Sequence, residues 1–191
     1  LAAARAQYGA DIDHLVAGLD RLDPPADAAI SELAGQPGGF ARLDAALRGD
    51  ASATTTPALR DLLATVAEYP AWVDWRRVDR ACRLFLRSGV AGGLVLGLRS
   101  LPYGYAAPAG NKPLVFSGRL AEMGPRRLAE TAKFVTAVCE PGALQRRGDA
   151  FTISLKVRLM HAQVRRLLLR SGKWDAALWS APINQHDMAA T

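Results

Sequence analysis

The stretch Phe151-Thr-Ile-Ser-Leu155-Lys-Val-Arg158-Leu-Met-His161-Ala-Gln-Val-Arg165-Arg-Leu-Leu-Leu-Arg170 decides how this chain is read. Nothing in it breaks a helix, so it forms one long helical run. At about 100° per residue, Arg158 and Arg165 lie one turn to either side of His161, and the imidazole is flanked by two guanidinium groups. The neighbours Ile153, Leu155, Val157, Leu159, Met160, Val164, Leu167 and Leu168 are apolar. A face carrying two arginines and a histidine in such a helix costs stability unless something anionic or metallic meets it. Two readings satisfy that demand. One is a core histidine beside surface or ion-paired arginines, the commoner case for this spacing. The other is haem, with iron on the imidazole and propionates within reach of the arginines.

Two further blocks lie on either side of this helix. Upstream, Asn111-Lys112-Pro113-Leu114-Val115-Phe116-Ser117-Gly118-Arg119-Leu120 leads into Pro125-Arg126-Arg127-Leu128-Ala129-Glu130-Thr131. Downstream stands Ala181-Pro182-Ile183-Asn184-Gln185-His186-Asp187-Met188. With Lys156 to Arg165 between them, these blocks resemble, in order, the family of latex-clearing protein (rubber oxygenase) and the MpaB-type oxygenases. The resemblance runs from about Tyr103 to the end and is weak upstream. It implies an all-α, multi-helix protein with a globin-like haem-binding core and non-covalent haem b as cofactor. It makes His161 the proximal iron ligand, with Arg158 and Arg165 as cofactor-binding residues beside it.

The same resemblance assigns Arg127 and Thr131 to the haem pocket. They lie one turn apart on a common helical face, where a guanidinium and a hydroxyl can hold a propionate or polarise dioxygen. The residue reading leaves open that Arg127 merely pairs with Glu130 or Glu122. Glu130 departs from the family pattern, because rubber oxygenases carry a lysine just before this threonine. A carboxylate there can serve as a general base if burial raises its pKa, and it puts polyisoprene in doubt as the substrate. Asn184, Gln185 and Asp187 are expected to make supporting hydrogen bonds. His186 and His14 read as loop or surface histidines.

The implied activity is a haem-dependent oxygenase that joins dioxygen to an apolar, alkene-bearing substrate of isoprenoid type. The alternatives are a haem-binding protein without turnover (a carrier, sensor or electron-transfer module) and a non-haem helical lipid-binding or scaffold protein. In the family the domain continues past the Asn184 block, and this chain opens on Leu1 rather than Met. It is therefore expected to be an incomplete part of one longer helical domain, with N-terminal helices over 1–100 and haem-binding motifs over 101–191.

Composition constrains the other classes. The chain has 191 residues, half of them hydrophobic, and a net charge of +6. The basic residues are nearly all arginine and are scattered, without a helix-turn-helix, zinc-finger or aromatic-basic module, which argues against nucleic acid as a partner. Cys82 and Cys139 form no C-x-x-C pair and read as free thiols. The most apolar window, Val90 to Leu98, is short and glycine-broken, so no transmembrane segment is expected. Without an export pattern the default compartment is cytoplasmic. No nucleotide-binding, G-x-S-x-G or H-E-x-x-H pattern competes with the histidine helix.

Local signals give the remaining elements. Leu1 to Leu22 reads as one amphipathic helix facing inward through Tyr8, Ile12, Leu15, Val16 and Leu19. Asp23-Pro24-Pro25 separates it from a short helix ending at Gly35, and Asp20 and Asp23 read as solvated. Thr56 and Pro57 form an N-cap and first helical position. Val73 to Arg87 is a helix with a solvated arginine face, followed by the glycine-rich segment Gly89 to Leu98. Tyr103 to Lys112 reads as a structured loop. Gly172 ends the histidine helix.

Overall fold

The computed structural model describes residues 1–54, 56–106, 108–116, 124–145 and 148–190; for 124, 125, 127, 189 and 190 it describes the backbone alone. Every regular element among the described residues is helical, so the class is all-α. The Arg158–His161–Arg165 run lies in the longest of the packed helices, α10 (Asp149–Ser171). Gly172 ends it in the left-handed conformation, φ 67°, the geometry glycine adopts without a Cβ clash.

The core forms where α10 meets two N-terminal helices. These are α3 (Pro24–Gly35) and α5 (Pro57–Thr65), which pack on each other, with α3 also against α10. Asp23 caps α3 by accepting from the Ala26 amide, with proline in the first turn. Thr56 caps α5 by accepting from the Leu59 amide at 3.2 Å, and it is fully buried. Ile30, Leu33, Leu59, Leu62 and Leu159 close the centre, each no more than 1% exposed. Burying each such side chain contributes about 1.5–3 kcal/mol. The short α4 (Leu43–Leu47) adds Ala46 and Leu47.

Around this core the sequence reading needs three corrections. The N-terminal segment is not one helix: Gly9, at φ 67°, divides it into α1 (Ala2–Tyr8) and α2 (Asp11–Gly18). Tyr8, Leu15 and Val16 are exposed on these two helices instead of facing a core. Within the stretch expected to be a loop, residues 103–105 and 108–112 are helical, in α7 (Leu101–Tyr105) and α8 (Pro108–Phe116). Pro102 follows directly on the π-helical segment Leu96–Ser100, where the helical hydrogen-bond register already changes, and the Asn111 side chain donates to the Gly104 carbonyl at 3.1 Å.

The third correction concerns length. α6 (Trp75–Val95) continues through a π-helical segment, Leu96–Ser100, into α7. The combined stretch Trp75–Tyr105 is the one helical run among the described residues that is long and apolar enough, by length and composition, to cross a membrane. The segment-by-segment reading, which found no transmembrane candidate, had kept these pieces apart. Three helices complete the described chain: α9 (Gly124–Val138), which packs along α10, then α11 (Ala176–Trp179) and α12 (Gln185–Ala190).

Candidate functional site

The site is built on α10, and the N-terminal helices fix it there. Arg158 makes a two-pronged contact with Asp23, Nε to Oδ2 at 2.6 Å and NH2 to Oδ1 at 2.7 Å. Burial of Asp23 works against its charge, but the Arg158 guanidinium outweighs that and holds the carboxyl below the usual carboxylate range. The same contact raises Arg158 above its ordinary value. Arg165, whose side chain is 3% exposed, pairs with Asp27 and donates to the carbonyls of Pro182 at 3.2 Å and Ile183 at 2.8 Å. Lys156 pairs with Asp44 of α4 at the surface.

The two arginines expected beside a propionate are thus engaged with carboxylates at the start of α3. Planar, two-pronged contacts of this kind fix direction as well as distance, so they set the rotation of α10 about its own axis. His161 lies between them and makes no such contact. Its Nδ1 is buried and has no hydrogen-bond partner among the described residues. Burial, and secondarily the Arg165 charge, push the imidazole below its ordinary pKa, so it is neutral near pH 7. A neutral imidazole with an unused ring nitrogen is the protonation state a metal ligand requires. Arg166 Nε is the other buried polar atom without a partner among the described residues.

The donor set around His161 bears on which metal centre could form. Among the described residues no group of three or more His, Cys, Asp or Glu side chains could hold a bare ion. A haem would need only one protein ligand for its iron, and the single imidazole of His161 would fit that demand.

Glu130 and Thr131 lie on α9, the neighbour of α10, and both are exposed. Glu130 accepts from Arg126 Nε at 2.9 Å, a surface pair one turn apart. No hydrogen bond or ion pair joins Glu130 or Thr131 to His161 among the described residues. The Arg127 side chain lies outside the described residues, as do the 117–123 part of the upstream block and Glu122 within it.

The downstream block closes the site from behind. Asn184 is 1% exposed; its amide donates to Ala181 at 2.8 Å and its oxygen accepts from the Asp187 amide at 2.9 Å, which caps α12. Gln185 binds the α2–α3 link through Arg21 and Leu22 carbonyls. These contacts hold Pro182 and Ile183 where Arg165 reaches their carbonyls. The sequence reading missed Asp23, Asp27 and Asp44, and took Asp23 as solvated. The Asp23-Pro24 pair carried a usable signal, because an aspartate before proline is a strong helix-start pattern. Its pairing with Arg158, 135 positions away, left no local trace.

Comparison with known proteins identifies the family. Residues 75–191 match the sequence model of a family described as "ER-bound oxygenase mpaB/B'/Rubber oxygenase, catalytic domain". The chain is 28% identical over 179 residues to the rubber oxygenase of Streptomyces sp. (strain K30), covering 93% of this chain and 41% of that protein. The chain therefore spans less than half the length of this curated relative. No solved structure matches it.

Proposed function

Because the chain belongs to the MpaB and rubber oxygenase catalytic-domain family, we propose that it carries the proximal half of a haem b site in an oxygenase. The substrate class is an apolar, alkene-bearing chain of isoprenoid type, and the oxidant is dioxygen. The observation that carries this reading is the buried Nδ1 of His161, without a partner among the described residues, on a helix whose rotation is fixed by Arg158–Asp23 and Arg165–Asp27.

In this reading His161 binds the iron, and haem supplies the dioxygen activation and the electron changes of alkene cleavage. Arg158 and Arg165 act at one remove. They anchor α10 so that the imidazole keeps one orientation, and Arg165 disfavours its protonation. Arg127, Glu130 and Thr131 on α9 are assigned to steering dioxygen and protons. Glu130, exposed and paired with Arg126, places a negative charge where rubber oxygenases carry a lysine. That difference points to an alkene other than polyisoprene.

Haem loading tests the proposal directly. Purified protein expressed with ample haem is expected to give a Soret band and a positive pyridine haemochrome, both lost in His161→Ala. A loss of at least tenfold in haem affinity corresponds to about 1.4 kcal/mol. Unchanged haem content in that variant would remove the ligand assignment. Carbon monoxide binding and dioxygen uptake with alkenes then separate an oxygenase from a haem protein without turnover. The second reading draws on the exposure of Glu130 and its surface pairing with Arg126.

A further inference from the structure

The chain has two cysteines, and the fold brings them from separate elements to one place. Cys82 lies in the middle of α6 and is 7% exposed. Its thiol donates to the carbonyl of Val138, the last residue of α9, with 4.0 Å between sulfur and oxygen. Cys139 is the next residue, in the turn that leaves α9, and its amide still donates to the Val135 and Thr136 carbonyls at 3.1 and 3.2 Å. One turn back along α6, the Asp79 carboxylate accepts from the Gly142 amide at 3.2 Å. Two contacts from neighbouring turns of α6 thus hold residues 138 and 142, and Cys139 lies between them.

Bond lengths turn this contact into a reach. A carbonyl oxygen lies about 2.8 Å from the Cα of the next residue, so the Cys82 sulfur is within about 7 Å of the Cys139 Cα. The two thiols also sense each other: burial, and secondarily the Cys82 sulfur, push the Cys139 thiol above its ordinary pKa. A disulfide holds its Cα atoms about 4.4–6.8 Å apart. Because Cys139 stands just past the end of α9, rotation of its side chain and a small backbone shift cost less there than inside a helix. Neither thiol takes part in the His161 site.

We propose that Cys82 and Cys139 are a redox-sensitive pair that closes to a disulfide and locks the end of α9 onto α6. The oxidant class is a small-molecule disulfide such as oxidised glutathione. Burial shields the Cys82 sulfur from so bulky a reagent, so Cys139 reacts first. Cys139 gives its proton to solvent, and the thiolate attacks one glutathione sulfur. The glutathione S–S bond breaks, and the departing thiolate takes up a proton. Cys82 then loses its proton and attacks Cys139 Sγ, which forms the protein disulfide and releases the second glutathione as its thiol. Two protein thiols are oxidised and one glutathione disulfide is reduced, so the exchange balances. The raised pKa of Cys139 slows the first step near neutral pH, and the pair therefore answers to a sustained change in redox poise. Its consequence falls on α9, which carries Glu130 and Thr131 and packs along α10. The proposal is independent of whether His161 binds haem.

The test is equilibration of the purified chain in graded mixtures of reduced and oxidised glutathione, read by intact mass and by mass spectrometry of tryptic peptides. Expected is the loss of two hydrogens from the chain and a cross-linked pair of peptides containing Cys82 and Cys139. The midpoint, as the ratio of squared reduced to oxidised glutathione, should be at least tenfold higher for the native chain than in urea, because folding holds the two sulfurs together. Cys82→Ser should stop at a glutathione adduct on Cys139, and Cys139→Ser should stay unmodified while folded, both with wild-type helix content by circular dichroism. Hydrogen exchange at the Thr136 to Cys139 amides should slow at least tenfold in the oxidised form. An equal or lower midpoint in the native chain, or a glutathione adduct as the end product of the wild type, would overturn the pair. Unchanged exchange after oxidation would overturn the locking of α9.

Discussion

A neutral imidazole at position 161 has a measurable consequence in pH dependence. Burial first, and the Arg165 charge second, place the folded-state pKa of His161 below the ordinary imidazole value of 6.5. Protonation therefore favours the unfolded chain. The associated stability is complete above pH 6.5 and falls as the pH drops from there to the folded pKa. Asp23 acts in a separate window. Its carboxyl is below 3.8 in the folded protein, so its contribution is lost only as the pH falls below that value. Asp187 has the opposite sign: burial raises its pKa, and its contribution declines as the pH rises above 3.8. Urea midpoints of the haem-free protein are therefore expected to fall between pH 7.5 and pH 5.5, and to fall less in His161→Gln. An equal slope in the variant would assign the effect to another group.

At the scale of elements, two arginine–aspartate pairs join α10 to the first turn of α3, and they are not equivalent. The Arg165 side chain is 3% exposed and satisfies Asp27 and two carbonyls, whereas the Arg158 side chain is 32% exposed. Removing one partner of a buried pair leaves unsatisfied groups behind, a cost of about 3–5 kcal/mol. A partly solvated two-pronged contact contributes less, about 1.5–3 kcal/mol. Arg165→Ala should therefore lower stability more than Arg158→Ala, read as free energies from urea denaturation. Lysine at 165 should recover only part of the loss, because an ammonium cannot serve Asp27 and two carbonyls in the same planar arrangement. If both alanine variants match the wild type, the pairs do not fix α10, and the His161 orientation has another origin.

For the whole molecule, burial is uneven, and so is the expected protection from hydrogen exchange. The core formed by α3, α5 and α10 contains most of the fully buried side chains, while α1 has no buried residue and the helical run after Gly89 is almost wholly exposed. Amides of Ile30, Leu33, Leu59, Leu62 and Leu159 should exchange last, near the global unfolding limit, and those of Ala2–Tyr8 first. Comparable protection across α1 and α3 would contradict this distribution of stability. The downstream block joins the two ends of the described chain, since Ala181 and Gln185 amides bond to Leu19 and Arg21 carbonyls. Loosening it by Asn184→Ala is therefore expected to raise exchange in α2 as well as in α12.

Local rules determined much of this protein from the sequence alone. The all-α class, the extent of the histidine helix, its stop at Gly172 and the Thr56 cap each depend on residues a few positions apart, where sterics and amide capping act. The family was legible for a similar reason, because its blocks are contiguous in sequence. Tertiary structure alone decided which charges meet. Arg158 and Arg165 found Asp23 and Asp27, more than 130 positions away, where no local pattern records the pairing. It also decided that His161 Nδ1 lacks a partner among the described residues, which depends on every neighbour at once. The joining of α6 to α7 escaped the sequence reading because glycine and proline weaken a helix without forbidding it, and the outcome rests on the surroundings. Periodicity marked Tyr8, Leu15 and Val16 as an apolar face, but only the packed chain shows that nothing among the described residues covers it.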